Sequence, residues 1–365
     1  MDYARELFSR RRTNAVRCGS VMIGGSSPVS VQTMTKTDTR DVDSTVSEIR
    51  KVLEAGADIV RVAIPDAPAA EAFGKIRKRV RCPLVADIHF DYRLAIECLR
   101  KGADKVRVNP GNIGGLERLL LVAEEARRHG AAIRIVVNSG SLEKDILEKH
   151  GGPTPEALVE SAQRSLAALE DRGFESIVVS LKSSSVKDTV LSYVLMSSRT
   201  AWPMHIGVTE AGPGLSGVVK STAGISVLLA LGIGDTIRVS LTGSPVEEVE
   251  AGRQILQAVG AATYGPDLIS CPTCGRTQVD LLPIAKEVAR RLREFDAPIK
   301  VAVMGCPVNG PGEAKEADVG VACGRDGGVL FVHGQVIGRV PQAQLVDALL
   351  GLVAAEARTR RGTTS

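Results

Sequence analysis

At 365 residues, 44% hydrophobic and 24% charged, the chain has the makeup of a globular protein, too long for one small core and suited to a large and a small domain. A net charge of +4 with only 3% aromatic residues argues against nucleic-acid binding, which needs a broad basic stripe and stacking platforms, and no apolar stretch approaches membrane-spanning length. The N-terminus carries no signal-like apolar segment, so a cytoplasmic protein is expected, in which seven cysteines speak for metal or redox chemistry rather than a disulfide framework.

In chain order, Arg10-Arg11-Arg12 and, at the other end, the run from Arg358 to Arg361 read as solvated, frayed termini. Between them lie short β-branched runs: Val29–Met34, Ile59–Ile64, Leu84–Ile88, Lys105–Val108, Ile133–Val137, Ser176–Leu181, Met204–Val208 and Thr236–Leu241. Helical stretches such as Asp43–Ala55, Tyr92–Lys101, Leu116–His129 and Pro155–Asp171 separate them. Eight strand–helix units in about 250 residues predict an α/β fold, a closed (β/α)8 TIM-type barrel, over residues 1–260. The string Asp-x-(Val/Ile)-Arg-Val recurs at Asp58–Val62, Asp104–Val108 and Asp235–Val239, putting arginine at the same place in three strands.

Residues two apart on a strand share a face. With Val60 and Val62 turned to the helices, Arg61 faces the barrel interior. The same parity pairs Arg107 with Asn109, Asp87 with His89, Arg134 with Asn138, Lys182 with Ser180, and Arg238 with Ser240. An unpaired buried cation is costly, so four arginines and a lysine in one mouth need anionic partners. Either Asp87 and Glu210 build an internal salt-bridge lattice, which leaves cations over, or an anion carrying more than one phosphate binds at the C-terminal mouth. The glycine-rich turn from Asn109 through Asn112 to Gly115 could cradle a phosphate with its backbone amides.

Beyond Gly265 the pattern changes to a small α+β domain, residues 265–357, with residues 358–365 as a basic flexible tail. Cys271-Pro-Thr-Cys274 opens it, followed by a helix near Leu281–Phe295, a strand at Ile299–Val303 leading to Cys306, and strand-like runs at Asp318–Ala322 and Gly328–Gly338. A pair of cysteines two residues apart suits zinc, redox thiols or an iron–sulfur cluster. Cys306 stands alone among glycines and prolines, which disfavours the second close pair of structural zinc. Three cysteines and an open fourth position suit an iron–sulfur cluster with one iron free for substrate. Spacing leaves Glu313, Cys323, His333, solvent or substrate as the fourth ligand. Cys18, Cys82 and Cys98, scattered singly, read as small buried hydrophobes.

Cys271-Pro-Thr-Cys-Gly-Arg-Thr277 followed by Met304-Gly-Cys-Pro-Val-Asn-Gly-Pro-Gly-Glu-Ala314 resembles the 4-hydroxy-3-methylbut-2-enyl diphosphate synthase family. Val31–Thr39, Ala86–Phe90, Val106–Asn112 and His205–Gly212 are similar to that family's barrel motifs, so the likeness spans nearly the whole chain. The resemblance implies reductive ring opening of 2-C-methyl-D-erythritol 2,4-cyclodiphosphate in isoprenoid biosynthesis. It implies a 4Fe–4S cluster held by Cys271, Cys274, Cys306 and Glu313, flavodoxin or ferredoxin as electron donor, and a homodimer in which one subunit's cluster domain closes over the other's barrel. It places the diphosphate on Arg61, Arg107, Arg134, Lys182 and Arg238, with Asn109, Asn112, Asn138 and Ser240, and sets Asp87, Thr209 and Glu210 near the hydroxyl end. Asp87, His89, Glu210 and Glu313 are the candidate catalytic residues. The alternative is a phosphometabolite-binding barrel with a structural zinc domain.

Overall fold

In a computed structural model of the chain, residues 7–306 and 316–362 are described, and the chain divides into two units, Met1–Ala262 and Thr263–Ser365. The first unit is built on eight parallel strands: β3 (Ser30–Met34), β4 (Ile59–Ile64), β5 (Leu84–Ile88), β6 (Lys105–Val108), β7 (Ala132–Asn138), β8 (Ile177–Lys182), β9 (His205–Ile206) and β10 (Thr236–Ile237). Their spatial order is β8-β7-β6-β5-β4-β3-β10-β9, and a single bridge, Val179 to Met204, closes the ring. The β-branched runs become strands because both faces are covered, one by helices and one by the barrel interior. The last two strands are shorter than expected. Six residue pairs join β7 to β8, but only two join β10 to β3 and two join β10 to β9.

The repeated Asp-x-(Val/Ile)-Arg-Val string has a structural reason. Asp58 accepts a hydrogen bond from the Val31 amide at 2.7 Å, Asp104 from Leu84 at 2.8 Å and Asp235 from Met204 at 2.7 Å. Each carboxylate thus satisfies an amide at or next to the start of a neighbouring strand. Three residues later the same string delivers Arg61, Arg107 or Arg238 to the mouth. Aspartates also start the helices that follow β3, β4 and β5: Asp41, Asp66 and Asp91 each accept an amide of the first turn, and such caps contribute about 1 kcal/mol apiece.

A short hairpin of β1 (Val16–Cys18) and β2 (Val21–Ile23) lies under the N-terminal ends of the barrel strands. Three-residue strands carry too little periodicity to be read from sequence. The preceding segment is anchored rather than frayed. Arg10 Nη2 meets Asp235 Oδ1 at 2.6 Å, and Arg11 donates to the carbonyls of Ser197, Thr200 and Trp202. Cys18 and Cys98 are fully buried and Cys82 half-buried, as small apolar side chains.

The second unit carries a five-stranded sheet, β11 (Asp267–Ser270), β12 (Lys300–Met304), β13 (Val319–Gly324), β14 (Gly327–Val332) and β15 (Gln335–Val340), in that order. The first three strands are parallel and the last three antiparallel. Helices Leu281–Leu292 and Leu345–Gly362 pack on it, burying Val288, Val301, Val321, Leu349 and Val353. The run Gly328–Gly338 is two strands, because His333 and Gly334 both take left-handed backbone and reverse the chain. Past Ala357 the last helix continues to Gly362, so Arg358 and Arg360 are not in a flexible tail. Arg360 is tied to Asp318 at 2.5 Å and Glu356 at 3.0 Å.

Candidate functional site

Strand parity turns the predicted cations into one barrel interior. Arg61 Nε lies 3.5 Å from Asp87 Oδ2, and Arg107 Nη1 lies 3.2 Å from Asp87 Oδ1. Burial alone would raise the Asp87 carboxyl, but Arg61, the His89 hydrogen bond and Arg107 outweigh it and hold it far below the usual carboxylate range. Asp87 is therefore a permanent anion that spreads two guanidinium groups. His89, half exposed, sits 3.5 Å from the same oxygen and tilts against the exposed Phe90 ring.

Among the described residues, Arg134 and Lys182 have no such partner. Arg134 is fully buried, and none of its three guanidinium nitrogens has a hydrogen-bond partner among the described residues. Burial, then Arg61 and Arg107, push its acidity far from the ordinary value. Lys182, also buried, is pushed down by desolvation and then by Arg238, Arg134, Arg61 and Arg107. Five cations thus face inward, and the other four all act on Lys182. Carboxylates reach Arg61, Arg107 and Arg238, so a salt-bridge lattice accounts for three of the five and leaves Arg134 and Lys182 over among the described residues.

The second carboxylate is not the one expected. Glu210 is exposed, with left-handed backbone, and takes part in none of the ion pairs described. Arg238 is met instead by Glu248, at 3.5 Å, from the helix Pro245–Ala258. Strand parity cannot find a residue on a helix. A signal existed, since Glu248 falls on the stripe of Pro245, Val249, Gly252 and Leu256 that the helix buries. Thr33, on β3, and Lys36, just beyond it, also meet Glu248, and neither could be singled out while their partner on the helix went unseen. A further cation, Lys105, lies fully buried two residues before Arg107, and burial lowers its ammonium to about 8.

Asn109 works locally. Its Oδ1 accepts from the Gly111 amide at 3.1 Å and its Nδ2 donates to Ser141 at 2.6 Å, starting the short turn Pro110–Ile113. Asn112, Asn138, Thr209 and Ser240 are half-buried at or just beyond the ends of β6, β7, β9 and β10. Gly207 lies between Ile206 and Arg238, and a Cβ there would stand 2.3 Å from the Arg238 carbonyl and 3.6 Å from Lys182 Nζ. Only glycine lets these two strands approach.

In the second unit, β11 and β12 are parallel neighbours with Ser270 opposite Val303. Cys271 and Cys306 therefore emerge at the same strand ends. The Gly305 amide donates to Cys271 Sγ at 3.2 Å, and a Cβ on Gly305 would crowd that sulfur at 3.3 Å and Thr277 at 2.9 Å. Thr273 takes left-handed backbone in the turn to Cys274, which stays exposed. The Arg276 amide and side chain both hydrogen-bond Cys274 and lower its thiol below the usual range. Thiols, a backbone N–H aimed at sulfur and a glycine where space is needed suit a thiolate-held iron–sulfur cluster. Among the described residues, no three His, Cys, Asp or Glu side chains are grouped closely enough to hold a metal ion. Glu313, with Asn309 and the Gly-Pro-Gly turn, lies outside the described residues.

The other fourth-ligand candidates are otherwise engaged. Cys323 is fully buried in the apolar core of the sheet, and burial pushes its thiol up to about 11. His333 is exposed beside Glu356 at 3.4 Å and Asp318 at 3.9 Å.

Residues 13–253 match the family model described as GcpE TIM-barrel domain, and residues 267–355 that of the GcpE protein C-terminal domain. The chain is 53% identical over 345 residues to the 4-hydroxy-3-methylbut-2-en-1-yl diphosphate synthase (flavodoxin) of Ruminiclostridium cellulolyticum, covering 94% of this chain and 98% of that one. A protein of the same name from Caldanaerobacter subterraneus subsp. tengcongensis is 54% identical over 341 residues, 93% of this chain and 96% of its own. Among solved structures, dihydropteroate synthase from Stenotrophomonas maltophilia overlays 68% of this chain and 99% of its own at 16% identity and a TM-score of 0.49, a likeness too loose to weigh. No helix among the described residues is long and apolar enough to cross a membrane.

Proposed function

The chain belongs to the GcpE family, and from that membership we propose how its two units share the family's reaction. It is an oxidoreductase of isoprenoid biosynthesis that forms 4-hydroxy-3-methylbut-2-en-1-yl diphosphate. Its substrate is 2-C-methyl-D-erythritol 2,4-cyclodiphosphate, opened reductively with loss of water. The barrel binds the diphosphate on Arg61, Arg107, Arg134, Lys182 and Arg238, with Asn109, Asn112, Asn138 and Ser240 around it.

The observation that carries this reading is Arg134, wholly buried among like charges and without a hydrogen-bond partner among the described residues. A buried cation without a counter-ion is costly, and a diphosphate supplies several charged acceptors at once. As the ring opens, charge gathers on the released phosphate oxygen. Cations already fixed in place stabilise it without reorganising. Asp87 orients Arg61 and Arg107, and with His89, Thr209 and Glu210 it serves the hydroxyl end, where a proton must reach the departing oxygen.

Cys271, Cys274, Cys306 and Glu313 would hold a 4Fe–4S cluster, which supplies the two electrons one at a time. Support for the ligand set is the emergence of Cys271 and Cys306 at adjacent strand ends, the amide directed at Cys271 and the lowered Cys274 thiol. A carboxylate as fourth ligand is harder than a thiolate and more easily displaced. Flavodoxin or ferredoxin delivers the electrons, and the enzyme works in the cytoplasm as a homodimer. The test is anaerobic purification with iron and sulfide analysis, titration with the cyclic diphosphate, and turnover with reduced flavodoxin. A colourless, zinc-containing protein that binds phosphometabolites without reducing them would replace this reading with a sensor.

A further inference from the structure

Glu248 is almost fully buried, and its carboxylate collects four donors from both sides of one seam of the barrel. Thr33 Oγ1 donates to Oε2 at 3.0 Å, and Arg238 Nη2 stands 3.5 Å from the same oxygen. The Leu241 amide donates to Oε1 at 3.1 Å, and Lys36 Nζ stands 3.1 Å from it. Lys36 Nζ is itself tied to the Leu241 carbonyl at 2.9 Å and to the Gly243 carbonyl. The ammonium is thus held by structure and not offered to a ligand.

The position of these contacts matters. The backbone ladder between β3 and β10 consists of Ser30 with Thr236 and Val31 with Ile237, and stops there. Thr33, Lys36, Arg238 and Leu241 all lie beyond it, towards the mouth. Where parallel strands would ordinarily hold one another by amides, a single carboxylate does so. The Ser244-Pro245-Val246-Glu247 capping box fixes the start of its helix, and Glu248 is the next residue.

We propose that Glu248 is a positioning residue for substrate binding: it aims Arg238 at the diphosphate by bracing the β3–β10 seam at the barrel mouth. The inference rests on reading the mouth as a diphosphate site. All four partners are donors, so Glu248→Gln keeps the size of the side chain and turns an amide NH2 towards two of them. Arg238 then loses its only carboxylate among the described ion pairs and the seam its tie. Losing one well-placed hydrogen bond to a charged group weakens binding by roughly ten- to a hundredfold.

The cluster-containing enzyme tests this by calorimetric titration with the cyclic diphosphate and by steady-state turnover. Glu248→Gln should weaken binding about ten- to a hundredfold and raise KM in step, with kcat and the cluster absorption changed far less, as expected for loss of uniform binding. In an Arg238→Ala background the same change should add less than about twofold, because the group it aims is gone. Thr33→Val, which keeps the charge and removes one donor, should weaken binding in the same direction by a smaller factor, and it stands in if Glu248→Gln does not fold. Equal binding by wild type and both variants, or full additivity with Arg238→Ala, overturns the inference. Failure of the wild-type enzyme itself to bind the cyclic diphosphate overturns instead the reading on which it rests, and the inference with it.

Discussion

Replacing Arg134 by methionine should make the ligand-free enzyme more stable and the ligand useless to it. The side chain is fully buried, has no hydrogen-bond partner among the described residues and lies in the field of Arg61, Arg107 and Arg238. Methionine keeps the length and removes the charge. Exchanging buried charges for apolar side chains of similar volume is neutral to stabilising, by up to about 4 kcal/mol. With no ion pair among the described residues to lose, and only the more distant Asp87 in its favour, this site belongs at the stabilising end. At about 2–4 °C per kcal/mol for a unit of this size, a gain of about 1–4 kcal/mol raises the melting midpoint by roughly 2–15 °C. Binding should move the other way. Losing one partner of a buried charge pair costs about 2–5 kcal/mol, roughly a 30-fold to several-thousand-fold loss of affinity. One assay reads both: anaerobic thermal scans with and without the cyclic diphosphate. Wild type should melt lower alone and gain strongly from ligand, while Arg134→Met melts higher and gains little. A variant that is less stable alone yet keeps its ligand-induced gain would show that Arg134 is a structural cation and refute the argument.

Three further outcomes follow from other parts of the molecule. Cys271→Ser, Cys274→Ser or Cys306→Ser should abolish iron binding and turnover, whereas Cys18→Ser, Cys82→Ser, Cys98→Ser and Cys323→Ser keep the iron; Glu313→Ala should keep much of it and lose most turnover, as iron and sulfide assays will show. Lys105 is lowered from its ordinary 10.5 to about 8, so between those values the unfolded chain holds a proton that the native protein has released, and stability should rise with pH by roughly 3 kcal/mol across that window. Lys105→Met should flatten that rise in denaturation midpoints measured from pH 8 to 10.5, and an unchanged slope would count against it. Gly207→Ala should push the Arg238 carbonyl away, costing about 1–3 kcal/mol of stability and much of the substrate affinity; unaltered binding would show that the close approach there is incidental.

Much of the barrel was legible because its strands are buried on both faces and read as continuous β-branched runs. Ile59–Ile64, Leu84–Ile88 and Lys105–Val108 form as expected, residue for residue. Parity then brought Arg61, Asp87 and Arg107 into mutual contact. What escaped notice has physical causes. The strands of the first hairpin are three residues long, too short for any period to show. Gly328–Gly338 is two apolar runs joined by His333-Gly334-Gln335, a polar break too short to be read as a reversal by pattern alone. Arg10 and Arg11 look like a solvated terminus until Asp235 and three carbonyls, some two hundred residues away, are brought to them. Glu248 lies on a helix, and its partners on strands and loops, so no single periodicity relates them. Cys323 and Glu313 could not be separated by spacing alone. The structure adds that Cys323 is buried in the apolar core of the sheet, near Cys271, while Glu313 lies outside the described residues.

The uneven ladder of the barrel has a consequence for how the molecule breathes. Three to six residue pairs join each neighbour from β3 to β8, but β10 is held by two pairs on each side, and β9 by two pairs to β10 and the one bridge that shuts the ring. Local opening takes the path with fewest bonds, so amide exchange should be fastest across β9 and β10 and slowest in β5 to β7. Three of the five cations stand on β4, β6 and β7, in the well-knit arc; Lys182 and Arg238 stand at either edge of the thin one. An anion touching all five is a clasp across that gap. A diphosphate bound there as proposed would do for the barrel what a missing strand ladder would do, and its departure as product would loosen the wall it had been holding.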